Sequence, residues 1–124
     1  MNNFKNGGRL FYFGCGTSGR LGVLDASECP PTFSANKNLV IGIIAGGKKA
    51  LYQSIEGAED DLNLAATDFK KYKINQKDTV IGITSSGTTP YVNKILEESK
   101  KIGAFTSIIT SNKIKQKKYI DIKI

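Results

Sequence analysis

Three short segments of this 124-residue chain carry side chains that could do chemistry. The first is Gly14-Cys15-Gly16-Thr17-Ser18-Gly19, with glycines two and three residues apart. Such glycines let the backbone come close to an anion, and a helix starting here offers free N–H groups and a positive dipole end. The second is Ser85-Ser86-Gly87-Thr88-Thr89, with four hydroxyls in five residues. Hydroxyls and backbone N–H groups together make a neutral phosphate cradle. The third set is carboxylates: Glu28, just before Pro30 and Pro31, and the group Glu56, Glu59 and Asp60 around Gly57-Ala58. An apolar setting raises a carboxyl pKa and suits the group to act as an acid. Each feature also has a plainer reading. A simple strand-to-helix turn accounts for the glycines, and helix capping accounts for one or two of the hydroxyls. A glutamate taken alone is most often a surface or capping residue.

What is missing narrows the chemistry. The chain has no histidine, and Cys15 and Cys29 lack metal-ligand spacing. Ser-His and Cys-His nucleophile pairs and the usual zinc sets therefore fall away, and no metal is expected. Acid/base work is left to Glu, Asp, Lys, Tyr or Cys. Gly14, Gly16 and Gly19 fit the dinucleotide pattern, but Ala45-Gly46-Gly47 stands where an acidic residue would hold a ribose. No Walker lysine accompanies either turn. The net charge is +7, with lysines scattered apart from a cluster at 113–118. Without interleaved aromatics this reads as a lysine-rich solvated surface, and no nucleic-acid partner is expected. No apolar run approaches the roughly 18 residues that span a bilayer, so no membrane partner is expected. The first eight residues carry no secretory signal, and a cytoplasmic address is expected.

The elements that must position these groups alternate. Residues 1–8 are polar and glycine-rich and read as a disordered lead-in; 9–124 read as one domain. Strands are expected at 9–13, 39–44, 79–84, 105–110 and 119–124. Helices are expected from Thr17 or Ser18 to about 27, over 48–55, over 60–72 with Leu62, Leu64, Ala65 and Phe69 as the buried stripe, and over 90–102. Pro90 suits a first helical turn and Gly103 a stop. Alternating βα units imply an α/β fold, a three-layer αβα sandwich around a parallel sheet of about five strands. Ligands in such sheets bind at the carboxyl ends of the strands. Both hydroxyl-bearing turns follow strands, so they should share that edge.

Four ordered motifs resemble one known family closely: GTSGRLGVLDASECPPTF at 16–33, IAGG at 44–47, EGAED at 56–60 and SGTTPYV at 86–92. They are similar to N-acetylmuramic acid 6-phosphate etherases, members of the sugar isomerase (SIS) superfamily with a flavodoxin-like fold. The resemblance covers the chain from about Lys5 onward. It implies cleavage of a D-lactyl ether by elimination and hydration, giving N-acetylglucosamine 6-phosphate and D-lactate in cell-wall amino sugar recycling, without metal or cofactor. By motif match, Glu28 corresponds to the proton donor and Glu59 to the second catalytic glutamate. Gly16, Thr17, Ser18, Gly19, Ser85, Ser86, Gly87, Thr88 and Thr89 fall in the phosphosugar-binding turns. A homodimer is implied by the superfamily. Two segments depart from the pattern: Thr88 stands where the family has arginine, and Ser111-Asn112-Lys113 where it has Cys-Asn-Pro. The chain is also short for the family at both ends, which suggests a truncated etherase whose activity alone is reduced. The runner-up reading is a non-catalytic phosphosugar-binding SIS module, followed by a phosphosugar isomerase.

Overall fold

The computed structural model describes residues 8–16, 19, 20, 22, 40–47, 57–110 and 119–123. The expected helix over 48–55 and the lysine cluster at 113–118 lie outside them. Four strands of five residues run parallel: β1 (Leu10–Gly14), β2 (Val40–Ile44), β3 (Thr79–Ile83) and β4 (Phe105–Ile109). A two-residue strand, β5 (Ile122–Lys123), pairs with β4 at the edge. The sheet order is β2-β1-β3-β4-β5. The fold is therefore α/β as expected, with the fifth strand shorter than the 119–124 run suggested.

A parallel sheet must be covered on both faces, because its crossovers carry helices. Side chains alternate along each strand, so Phe11, Phe13, Ile43 and Val80 share one face. Against them pack α1 (Leu62–Lys71) and α2 (Pro90–Lys101), through Ala65, Tyr91, Val92, Ile95 and Leu96. The Phe11 and Phe13 rings stack with centroids 6.0 Å apart. Leu10, Tyr12, Val40 and Ile81 form the opposite face. Helical backbone at Gly19, Arg20 and Gly22 stands over that face, where a Cβ on Gly22 would lie 3.0 Å from Tyr12 Cβ.

One sequence expectation for the helices needs correction in detail. Leu62 is 52 % exposed, so the buried stripe of α1 begins at Leu64 and Ala65. Leu62 occupies the first helical position, next to the N-cap Asp61, whose carboxylate accepts from the Leu64 N–H at 2.9 Å. Pro90 does open α2 and Gly103 follows it, as the sequence suggests.

The amino edge of the sheet is tied by one buried carboxylate. Asp78 is fully buried and accepts from the Arg9 backbone N–H at 2.9 Å, Arg9 Nη2 at 3.0 Å and the Asn75 N–H at 2.8 Å. A buried charge survives only when so paired. This clamp fixes the start of β1 beside the start of β3. The parallel register then carries both strands to a common carboxyl edge, with Gly14 opposite Ile83.

Candidate functional site

The strand order places β1 between β2 and β3, so the chain leaves β1 toward one side and returns on the other. In open α/β sheets such a switch point opens a crevice beyond the carboxyl ends of the strands. Here that crevice is a cleft of about 310 Å³ lined by Cys15, Gly16, Glu59, Ile83, Thr84, Ser85, Ser86 and Thr89. Residues 70 positions apart are thus neighbours because two parallel strands end together.

The first turn begins as the chain leaves β1. Gly14 C=O accepts from the Ala45 N–H at 2.9 Å, binding the ends of β1 and β2. The Gly19 N–H then reaches back to the Cys15 C=O at 3.2 Å. Gly19 is buried directly under this turn: a Cβ there would lie 2.7 Å from Gly14 O and 2.6 Å from Ile44 Cγ1. Gly19 is therefore a close-approach glycine, while Gly16 lines the cleft.

The second turn is knitted around Thr84, a residue that sequence reading assigned only to the end of a strand. Thr84 is 4 % exposed. Its Oγ1 accepts from the Gly87 N–H at 3.3 Å and lies 2.6 Å from Thr89 Oγ1. Thr89 is the N-cap residue of α2, yet its side chain makes no capping hydrogen bond. Capping therefore does not use up this hydroxyl. Thr88 donates from its N–H and its hydroxyl to Ser86 Oγ, at 3.1 and 2.9 Å. The Ser85 carbonyl accepts from Thr110 Oγ1 at 3.0 Å, which ties the turn to the end of β4. Gly87 and Thr88 shape this turn without lining the cleft.

Glu59 arrives from a separate element. Gly57 takes a left-handed conformation at φ 78°, which a glycine adopts without steric cost. A single 3-10 turn, Ala58–Asp60, follows and buries Ala58 in the core. Anchoring Ala58 leaves the next residue, Glu59, at the cleft wall. The charge of this segment is felt at Cys15. Burial first, and then the Glu59 and Asp60 carboxylates, push the Cys15 thiol up to about 12. Cys15 is thus a neutral thiol at ordinary pH. Behind it, burial and a hydrogen bond to Asp68 raise the Tyr91 phenol far above its usual range.

Of the residues singled out from the sequence, Gly16, Glu59, Ser85, Ser86 and Thr89 come together in the cleft. Gly19, Gly87 and Thr88 support its walls. Thr17, Ser18 and Glu28 lie outside the described residues. Sequence reading missed Cys15, Ile83 and Thr84 as cleft residues. A threonine ending an otherwise apolar strand was the available signal for Thr84. A neutral arrangement of hydroxyls beside one carboxylate can bind an anion and move a proton next to it.

A family model described as the glucokinase regulatory protein N-terminal SIS domain matches residues 1–100. Curated relatives carry the name N-acetylmuramic acid 6-phosphate etherase. One from an Exiguobacterium species is 54 % identical over 111 residues, covering 90 % of this chain and 38 % of the relative. One from a Geobacillus species is 52 % identical over 123 residues, covering 98 % of this chain and 42 % of the relative. One from Christiangramia forsetii is 56 % identical over 105 residues, covering 85 % and 38 %. The chain thus spans about two-fifths of the length of the curated relatives it matches. The chain belongs to the SIS-domain family, and its recognised relatives are named as etherases, enzymes of the lyase type.

Proposed function

We propose that this chain is the phosphosugar-binding and catalytic core of an N-acetylmuramic acid 6-phosphate etherase. The reading rests on one observation: Glu59 shares a cleft with the glycine turn after β1 and the hydroxyl turn after β3. The names of the relatives supply the substrate. In this reading the phosphate sits against Ser85, Ser86 and Thr89 at the start of α2, whose N-terminal N–H groups favour an anion. Gly16 lines the other side, with Gly19, Gly87 and Thr88 holding the two turns in shape; Thr17 and Ser18 are carried as substrate-binding residues by motif match alone.

The reaction needs no metal or cofactor because the opened sugar supplies its own activating group. The C1 aldehyde acidifies the C2 proton. Glu59 removes that proton, and the electron pair forms an enolate. The C3–O bond to the lactyl group then breaks as Glu28 donates a proton to the departing oxygen. Water adds to C3 of the unsaturated aldehyde, and the C2 proton is returned. Each carboxyl contributes on the order of 10² to 10⁴ in rate. The products are N-acetylglucosamine 6-phosphate and D-lactate. The work belongs to cytoplasmic recycling of cell-wall amino sugars, by a homodimer.

The test is D-lactate release from N-acetylmuramic acid 6-phosphate, with Glu59→Gln and Glu28→Gln beside the wild type. Loss of at least about 10²-fold in both variants is expected. A Glu59→Gln variant within tenfold of wild type removes Glu59 from the chemistry. A second reading, a phosphosugar-binding module without turnover, is favoured by the regulatory-protein domain whose model matches residues 1–100. Phosphosugar binding with no lactate release would select it.

A further inference from the structure

The second turn holds more hydroxyls than face the cleft, and its hydrogen bonds leave a definite proton inventory. A hydroxyl has one proton and two acceptor lone pairs. Ser86 Oγ accepts from both the Thr88 N–H and the Thr88 hydroxyl. Both lone pairs are engaged, and what remains to Ser86 is its own proton. Thr84 Oγ1 accepts from the Gly87 N–H, so its proton needs an acceptor. Two oxygens are in range: Thr89 Oγ1 at 2.6 Å and Ser86 Oγ at 3.5 Å. Ser86 is filled and at the outer limit of a hydrogen bond. Thr84 therefore donates to Thr89, and the Thr89 proton is released to point elsewhere. Ser86 and Thr89 are the two of these hydroxyls, besides buried Thr84, that line the cleft.

We propose that Thr84 and Thr88 are positioning residues that leave the hydroxyls of Thr89 and Ser86 as preset donors to the cleft, a rim matched to an ionised phosphate. This rests on the phosphosugar reading above and deepens it. An ionised phosphate oxygen only accepts, whereas a sugar hydroxyl or amide both donates and accepts. With both Ser86 lone pairs and one of Thr89's already engaged, the rim prefers the former. It also needs no reorientation of hydroxyls when the anion arrives, which is the gain of a preorganised site.

The test is calorimetric titration of the 124-residue protein with N-acetylglucosamine 6-phosphate and with unphosphorylated N-acetylglucosamine. Thr88→Val and Thr84→Val keep the side-chain shape and remove the hydroxyl; Thr88→Ser and Thr84→Ser restore it. Each valine variant is expected to weaken the phosphorylated sugar about tenfold and the unphosphorylated one by less than about twofold. Each serine variant is expected to recover affinity to within about threefold of wild type. Thr88 is exposed, so Thr88→Val keeps the test open if Thr84→Val fails to fold. Wild-type affinity in Thr88→Val, or failure of Thr88→Ser to recover what Thr88→Val loses, overturns the inference alone. No binding of the phosphorylated sugar by wild type overturns the phosphosugar reading and this inference with it.

Discussion

Replacing Gly19 by alanine tests whether the first turn must lie hard against the end of β1. The added Cβ would stand 2.6 Å from Ile44 Cγ1 and 2.7 Å from Gly14 O. Comfortable separations begin near 3.4 Å, so the turn must lift by roughly 0.7 Å. Ile44 has little room to yield, being 4 % exposed, and Gly14 O is held by the Ala45 N–H. Overpacking of this kind costs about 1–3 kcal/mol. The displacement moves Gly16 away from Thr84, Ser86 and Thr89 across the cleft. Losing one hydrogen bond to the anion costs about 1.5–3 kcal/mol, so a loss of at least about tenfold in phosphosugar affinity is expected. Gly16→Ala is the control: nothing lies within 4 Å of its added Cβ, but its φ is 56°. It should cost about 1–2 kcal/mol through backbone strain alone. Urea denaturation gives the stability change for each variant, and titration with N-acetylglucosamine 6-phosphate gives the affinity. A Gly19→Ala protein within 0.5 kcal/mol of wild type and with undiminished affinity would refute the close-packing argument.

Other perturbations separate scaffold from site. Asp78→Ala strands the Arg9 guanidinium and the Asn75 N–H at the amino edge, and should cost about 3 kcal/mol in urea denaturation. It should leave phosphosugar affinity unchanged at low temperature, because the cleft is at the opposite edge. Tyr91→Phe removes the hydrogen bond to Asp68 and should cost about 1 kcal/mol by the same measurement. Cys15 makes a pH prediction. Its thiol is favoured in the folded state, with the pKa raised from 9.0 to about 12, so the unfolded chain ionises first. The folded state then holds the extra proton, and stability contributed by Cys15 is complete below about pH 9 and lost as pH rises toward 12. Wild type should therefore decline more steeply than Cys15→Ala over that window. Parallel slopes would place Cys15 in a less buried, less acidic setting.

Much of the scaffold was legible in the sequence because it depends on local pattern. Apolar, β-branched runs marked β2 and β3, and Pro90 with Gly103 marked the ends of α2. The expected pairing of two turns at one sheet edge followed from a general rule about parallel strands. The boundaries were less legible. Leu62 fits a helical apolar stripe by spacing, but only the packing of α1 in the folded chain decides that it is exposed. β5 starts at Ile122, where pairing with β4 begins, and not at Tyr119, a boundary that composition does not encode.

By itself, the sequence determined the inventory: two turns able to receive an anion, carboxylates to move protons and no histidine to replace them. It also determined that these turns follow parallel strands. Only the tertiary structure decided which members of that inventory meet. Glu59 reaches the cleft because Gly57 takes a left-handed conformation and Ala58 anchors in the core, a long-range packing event invisible to spacing. Thr84 became the centre of the second turn because burial forces its hydroxyl to find partners, and those partners are Thr89 and Gly87. A side chain's type is written locally, but its neighbours are set by how the sheet orders its strands.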